Sequence, residues 1–285
     1  MRLARALAAG LLVVVTACGG DDVAVERSAD PSTTTSAPVA STAPQTTTTT
    51  APVVPPAVWE RCGDAQCATI PTPLDHDDPG GPTLDLFATR LPATGDRIGA
   101  LFVNFGGPGA DATGTVTRFR FPSRIREHFD IVAVDPRGVG RSSPLGCGMP
   151  PAELYSVDPT VEEPADAAAL IDISRRYAAD CEARAGRLLP HVGTRDVARD
   201  LDRVRAAMGD EQLSYLGFSY GTAIGQAYAE QFPDRVRAMV LDGVVDPAPP
   251  GVEVAAQQAA GFESALQNWA DGCGSRSSCP FDDAL

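Results

Sequence analysis

From about residue 58 onward, hydrophobic and polar residues follow two different patterns along the chain, short apolar runs and helical spacing. Short apolar runs that are rich in β-branched residues and bounded by Gly, Pro and Asp are typical of buried strands. The pattern predicts strands over 83–91, 100–105, 131–134, 213–217 and 236–241, and helices over 165–185, 194–208, 222–232 and 254–270. Alternation of hydrophobic strands with helices predicts an α/β fold, in which a mostly parallel sheet has helices on both faces.

The stretch 194–208 shows the helical rhythm most clearly. Its apolar residues Val197, Leu201 and Val204 recur at helical spacing. Thr194 is expected to cap the start of this helix, and Gly209 is expected to end it.

The N-terminus has the pattern of an export signal. Arg2 and Arg5 precede an apolar run over 6–17, which is too short to cross ~30 Å of hydrocarbon but suits a secretory signal. The run ends at Cys18, in a setting that resembles the bacterial lipoprotein signal. Residues 1–18 are therefore interpreted as a signal peptide that leaves Cys18 lipidated and the protein on the outer face of the cell membrane. A plain cleaved signal peptide is the alternative.

Residues 19–57 form a segment of a different kind. They are mostly Asp, Ser, Thr, Ala and Pro, with an unbroken Thr tract at 46–50. Such a composition buries too little apolar surface to offset chain entropy, so a disordered linker of about 39 residues is predicted. The folded domain is expected over 58–285.

Composition narrows the possible functions. The 285 residues include 37 acidic and 23 basic side chains, and the formal net charge is −14. We expect no nucleic-acid binding, because it needs clustered basic residues to displace counterions. Hydrophobic residues make up 44% of the chain, which is ample for a buried core.

Six cysteines remain when Cys18 is set aside, an even number in a chain that has an export signal. Disulfides are the natural interpretation, although the sequence alone does not fix their pairing. Local spacings favour Cys62 with Cys67, Cys147 with Cys181, and Cys273 with Cys279. A metal site is disfavoured, because no C-x-x-C pair is present and none of the three histidines adjoins a cysteine.

The sequence GFSYG at 217–221 matches G-x-S-x-G between a predicted strand and a predicted helix. In that context a sharp strand-to-helix turn lifts the serine hydroxyl above the sheet, and flanking glycines allow close packing. Ser219 is therefore the candidate nucleophile. The alternative is an ordinary glycine-rich turn with a buried serine.

Attack by a serine on a carbonyl needs donors for the oxyanion that forms. One candidate is the backbone N–H of Tyr220, at the start of the following helix. The other is expected from the turn GGPG at 106–109, where Gly107 is favoured over Gly106.

Six stretches of the chain resemble the tripeptidyl aminopeptidase-like branch of the α/β-hydrolases, which is related to the proline iminopeptidases. They are WERC (59–62), PLDH (73–76), NFGGPG (104–109), DPRGVGRS (135–142), YLGFSYGT (215–222) and VLDGVVDP (240–247). The resemblance runs from about 58 to 285. It implies an α/β-hydrolase fold, a secreted or surface-bound serine exopeptidase that releases short peptides from free N-termini, and no cofactor.

The chain departs from this family in three ways. Asp111 stands after the glycine-rich turn, where the family usually has Gly or Ser. In α/β-hydrolases the triad Asp or Glu and then the His follow the serine, but His76, His128 and His191 all precede Ser219. The chain also stops where the resemblance implies that a lid is only beginning, at about 250–285. The sequence thus looks like the N-terminal part of a longer enzyme, and an exposed sheet edge is expected.

Two later carboxylates could orient a catalytic base, Asp242 and Asp246, but no histidine follows them. Of the histidines that precede the serine, only His191 is expected on the side of the sheet where Ser219 lies, and a structural role suits it better. Three functions therefore stay open. They are a membrane-tethered peptidase, an esterase on the same fold, and a catalytically inactive surface lipoprotein that binds peptides.

Overall fold

A computed structural model describes residues 54–274 and Cys279. Its strands are β1 Glu60–Cys62, β2 Ala65–Pro73, β3 Thr83–Leu91, β4 Gly99–Asn104, β5 Phe129–Val134, β6 Leu213–Phe218 and β7 Val236–Asp242. Its helices are α1 Ala112–Val116, α2 Ser123–His128, α3 Pro151–Leu154, α4 Pro164–Ala185, α5 Thr194–Ala207, α6 Tyr220–Gln231 and α7 Gly251–Gly274. Two 3-10 helices, Gly186–His191 and Pro233–Arg235, precede α5 and β7.

The seven strands form one sheet in the order β1-β2-β3-β5-β4-β6-β7. The four strands β5, β4, β6 and β7 run parallel to one another, whereas β1, β2 and β3 pair antiparallel, and β3 is also antiparallel to β5. The predicted α/β sheet is thus confirmed. Each predicted strand and helix lies within a few residues of an observed one.

The sequence pattern missed β1 and β2. Strand β1 has only three residues, and β2 contains Pro71 and Pro73. Proline has no N–H for a ladder, and it is tolerated here because β1 pairs only with the first three residues of β2. Beyond them β2 has a partner on one side only. The short length of β1 and the two prolines of β2 explain why the hydrophobic pattern did not predict these strands.

Two apolar clusters cover the two faces of the sheet. The larger cluster joins α5 and α6 to the sheet through Leu201, Val204 and Tyr228. The smaller one packs Ala112 and Val116 of α1 on the other face. Successive residues of β5 point to opposite clusters, as expected for a strand that is buried on both faces.

A buried ion pair ties the loop after β5 to α5. Arg137 is 2% exposed, and its guanidinium donates to both carboxylate oxygens of Asp200 at 2.7 and 2.6 Å. The same group donates to the carbonyls of Leu74, Pro73 and His191. Because Arg137 is fully paired, four separate segments are held together at one point.

Three disulfides join Cys62 to Cys67, Cys147 to Cys181, and Cys273 to Cys279. This is the pairing that the local spacings favour.

Contacts with the folded core begin just before residue 58, the predicted start of the domain. The backbone N–H of Ala57 donates to the carbonyl of Ala207 at 2.9 Å, and Ala57 packs against the core. The fold therefore includes the end of the stretch that was assigned to the linker. The signal peptide, Cys18 and the linker up to residue 53 lie outside the described residues.

Strand β7 forms one edge of the described sheet. Val240 in this strand is 59% exposed, and Val244 just after it is 63% exposed. In α7, Val252 and Phe262 are also exposed. Within residues 54–274, no helix is long and apolar enough to cross a membrane.

Candidate active site

Ser219 lies between the end of β6 and the start of α6, with φ 51° and ψ −122°. A positive φ is uncommon for a residue that has a side chain, so the surrounding bonds must hold it in place. Its N–H donates to the carbonyl of Asp242 at 2.8 Å, and its carbonyl accepts the N–H and the hydroxyl of Thr222. The residue is exposed, so the turn presents its hydroxyl to solvent above the sheet.

The two glycines that flank the serine are required by close packing. A Cβ on Gly217 would lie 2.6 Å from the carbonyl oxygen of Gly221. A Cβ on Gly221 would lie 2.7 Å from the carbonyl oxygen of Asn104. The helix, the strand β6 and the end of β4 therefore meet at backbone contact, which fixes the position of Ser219.

The glycine-rich loop after β4 lies directly against this turn. A Cβ on Gly106 would lie 2.9 Å from the Cβ of Ser219 and 3.3 Å from the nitrogen of Tyr220. The N–H of Gly106 donates to Oδ1 of Asn104 at 2.9 Å, so that donor is already used. Gly107 remains the predicted oxyanion donor.

Tyr220, the residue after the serine, is held in place through both its backbone and its side chain. Its backbone begins α6, where the first N–H groups have no acceptor within the helix. Its phenol oxygen is 2.6 Å from Oγ1 of Thr194, the first residue of α5. The predicted capping role of Thr194 is wrong, because Gly193 occupies the cap position without a side-chain bond. The Thr194 hydroxyl instead bonds to Tyr220 across the gap between two helices.

The unexpected Asp111 has a clear local role. It is the N-cap of α1, and its carboxylate accepts the N–H of Gly114 at 2.7 Å and the hydroxyl of Thr113 at 3.1 Å. Aspartate and serine serve equally well at this position. The departure from the family pattern therefore leaves the start of α1 intact.

Asp135, in the loop after β5, also binds the start of α1. It is fully buried and accepts the N–H groups of Ala112, Thr113 and Arg141. Burial raises the pKa of this carboxyl group, and the neighbouring Asp111 adds to the effect. The N–H of Gly114 lowers the pKa of Asp111. The loop after β5 is thus fastened to the helix that follows the glycine-rich turn.

None of the three histidines hydrogen-bonds to Ser219. His76 Nε2 lies 2.9 Å from Asp200 and 2.8 Å from Arg137, and so belongs to the buried ion pair. His128 Nδ1 lies 3.1 Å from the carbonyl of Asp96, at the start of β5 and so at the opposite end of the sheet. His191 contributes its carbonyl to Arg137.

The two candidate carboxylates, Asp242 at the end of β7 and Asp246 after it, are exposed. Asp242 contacts Ser219 through its backbone carbonyl. The side chain of Asp246 accepts the N–H of Ala248 at 2.9 Å. Neither side chain contacts a histidine within residues 54–274. The same part of the chain contains no group of three or more His, Cys, Asp or Glu that could hold a metal ion.

Sequence reasoning missed three residues that shape this site. Asn104 accepts from the glycine-rich loop, Thr194 contacts Tyr220, and Phe119 packs against Phe105 and Phe218 with ring centres 5.3 and 5.8 Å apart. Only Asn104 had a sequence signal, since it ends the strand that leads into the glycines. Thr194 reaches the site as the first residue of α5, and Phe119 lies in the turn after α1.

Comparison with known proteins agrees with this geometry. The profile of the α/β-hydrolase fold family matches residues 106–285. The chain belongs to the α/β-hydrolase family. Its fold, together with Ser219 in the sharp turn between β6 and α6, defines it as a serine hydrolase.

Three individual relatives match most of this chain. Serine protease Hip1 of Mycobacterium tuberculosis is 41% identical over 241 residues, which are 79% of this chain and 46% of the relative. Tripeptidyl aminopeptidase of Streptomyces lividans is 38% identical, over 75% of this chain and 43% of the relative. Carboxylesterase B of Mycobacterium tuberculosis is 41% identical, over 80% and 47%. The chain thus spans about half the length of the curated relatives that it matches.

Proposed function

We propose that this protein hydrolyses peptide bonds through Ser219 and releases short peptides from free amino termini. The observation that carries the proposal is the exposed Ser219, held at positive φ between β6 and α6 with the Gly106 backbone against it. Two relatives, a serine protease and a tripeptidyl aminopeptidase, support peptides as the substrate class.

The proposed chemistry proceeds through an acyl-enzyme. The hydroxyl of Ser219 attacks the peptide carbonyl, and the N–H groups of Gly107 and Tyr220 stabilise the oxyanion. The C–N bond then breaks, the amine leaves with a proton, and water hydrolyses the ester formed on Ser219. Such donors contribute about 3 kcal/mol each to transition-state stabilisation.

Ser219 also needs a general base, since its hydroxyl is a weak nucleophile at neutral pH. None of the three histidines reaches it within the described residues. The reactivity of Ser219 in the 285-residue chain is therefore the first quantity to measure.

A fluorophosphonate probe followed by peptide mass spectrometry measures that reactivity. We expect slow labelling of Ser219, because no histidine of the described residues contacts it, together with loss of labelling in Ser219→Ala and unchanged labelling in Ser143→Ala. Ser143 is a matched control because it is the other non-glycine residue with positive φ in the described chain. Absence of labelling would favour a non-catalytic surface protein that binds peptides, because the members of a triad act as a unit.

An esterase is the second candidate, and it is favoured by the likeness to Carboxylesterase B. Release of a dye from an N-terminal tripeptide, compared with hydrolysis of a short acyl ester, separates the two. Cleavage of the ester alone would reject the peptidase proposal.

We also propose that the mature protein is secreted and anchored to the outer face of the cell membrane by lipid on Cys18. The support is the sequence alone, with Arg2 and Arg5 before an apolar run that ends at the cysteine. Metabolic labelling with an alkyne fatty acid tests this. We expect incorporation that is lost in Cys18→Ser, whereas an unlabelled protein in the culture medium would contradict it.

A further inference from the structure

Helix α7 exposes apolar side chains along one side. Every residue from 251 to 269 is exposed except Val254, which is partly buried. Val252, Phe262 and Leu266 are 80%, 68% and 52% exposed. A helix of 24 residues normally packs one apolar face against other parts of its protein. Within residues 54–274 these three side chains stay in solvent, so the face is available to a partner.

The apolar residues have the spacing of a helix that pairs with another helix. They are Val252, Ala255, Ala259, Phe262 and Leu266, called here the α7 stripe, and they are separated alternately by three and four positions. This is the spacing of positions a and d in coiled coils, which average about 3.5 residues per turn. It keeps the α7 stripe on one side of the helix for about 21 Å. The spacing therefore favours a second helix as the partner.

The α7 stripe is small at one end and large at the other. Ala255 and Ala259 lie in its first half, and Phe262 and Leu266 lie in its second half. Helices pack closely when large side chains of one face small side chains of the other. A parallel second copy would set Phe262 against Phe262 and would leave a gap between alanines. In an antiparallel second copy, Ala259 can lie level with Phe262 of the other helix. Ala255 then lies level with Leu266, so each of these layers joins a large residue to a small one.

The charges of α7 also permit this pairing. The helix has three acidic residues, Glu253, Glu263 and Asp271, and no basic one. Only Glu263 lies on a flank of the α7 stripe, at position e of the heptad. In an antiparallel pair the same flank of each helix meets, so Glu263 lies opposite Ala256 of the other copy. No carboxylate then lies directly opposite another.

We propose that two copies of this chain pair through their α7 stripes, antiparallel and about a twofold axis level with Ala260 and Gly261. Such a contact is isologous, because each copy contributes the same surface. The order of side-chain sizes and the place of the flanking carboxylate make the α7 stripe complementary to itself, which favours a second copy over a partner of different sequence. The inference does not rest on the proposed hydrolase function, since no residue of the α7 stripe belongs to the site around Ser219.

Sedimentation equilibrium of the 285-residue chain tests the pairing. All samples carry Cys18→Ser, which removes the proposed lipid and the one cysteine outside the three disulfides. We expect a mass that rises with concentration toward twice that of the monomer. Phe262→Glu should weaken association by at least about 100-fold, because both copies lose a buried aromatic side chain. Ser264→Glu adds the same charge on the side of α7 away from the stripe and should leave association unchanged.

Cross-linking tests the orientation. Oxidation of a mixture of copies with Ala255→Cys and copies with Leu266→Cys should give a mixed disulfide, because the antiparallel register brings these positions to the Cα distance of about 4–7 Å that a disulfide needs. Ala255→Cys alone should not cross-link with itself, since the two positions lie about 16 Å apart along the axis. Ala256→Arg should strengthen association by about 2- to 10-fold by pairing with Glu263 of the other copy. Gln257→Arg, one position further and off the interface, should not.

Four results would overturn the inference. They are a monomer at every concentration, an equal loss of association in Phe262→Glu and Ser264→Glu, association that persists in Phe262→Glu, and self-cross-linking of Ala255→Cys. Persistent association would place the contact elsewhere, such as the exposed edge of β7. A monomer in which Phe262→Glu changes the labelling rate of Ser219 would show instead that α7 covers its own active site.

Discussion

The Arg137–Asp200 pair gives the sharpest stability prediction. Arg137→Leu removes a guanidinium whose nitrogens donate five hydrogen bonds, two of them to Asp200. Asp200 is 2% exposed, so the change leaves a buried carboxylate with His76 as its remaining side-chain partner. Breaking a buried pair from one side costs about 3–5 kcal/mol. The three carbonyls that lose a donor make the upper part of that range the better expectation.

Urea unfolding of the 285-residue chain, followed by circular dichroism, measures this loss as a lower midpoint at constant slope. The corresponding drop in Tm is about 10 °C for a folded part of this size. The control is Arg176→Leu, which breaks an equally short ion pair to Glu153 at 2.7 Å, but with Arg176 52% exposed. It should cost less than about 1 kcal/mol.

A double variant separates charge from packing. In Arg137→Leu with Asp200→Leu, no buried charge is left alone, so much of the stability should return. A loss below about 1 kcal/mol in Arg137→Leu alone, or equal losses at Arg137 and Arg176, would refute the reasoning that burial makes this pair critical.

Three more predictions concern other parts of the fold. Gly106→Ala places a Cβ 2.9 Å from that of Ser219 and should abolish phosphonate labelling, while circular dichroism stays unchanged; normal labelling would contradict the packing argument. Replacing Cys147 and Cys181 with Ala opens a link across 34 positions and should cost about 3–4 kcal/mol in urea unfolding. Burial raises the pKa of Tyr215, so stability should fall as pH rises above about 10, by up to about 1.4 kcal/mol per pH unit; Tyr215→Phe should reduce that slope.

The sign of the last prediction follows from proton binding. Above the pKa of an unfolded tyrosine, about 10, the unfolded chain releases the phenol proton while the buried Tyr215 retains it. The native state then binds more protons than the unfolded state, so its stability decreases with pH. A flat profile between pH 10 and 12 would contradict the assignment.

The sequence by itself determined the features that depend on neighbours along the chain. Short apolar runs located β3 to β7, because strands that are buried on both faces are almost continuously apolar. Apolar residues at helical spacing located the main helices, because one face of each packs on the sheet. The position of Ser219 between a strand and a helix was evident for the same reason. Local spacing favoured the three disulfides that the structure contains.

Only the tertiary structure decided the contacts between distant segments. The bond from Thr194 to Tyr220 joins two helices, and it overrides the local capping preference that the sequence suggests for Thr194. Nothing in the local sequence distinguishes His76 from another histidine. Its contact with Asp200, 124 positions away, is formed only in the folded protein. The carboxylates of Asp111 and Asp135 come together because β4 and β5 are adjacent in the sheet. Local pattern carries no information about such pairs, since strand order and helix packing bring them together.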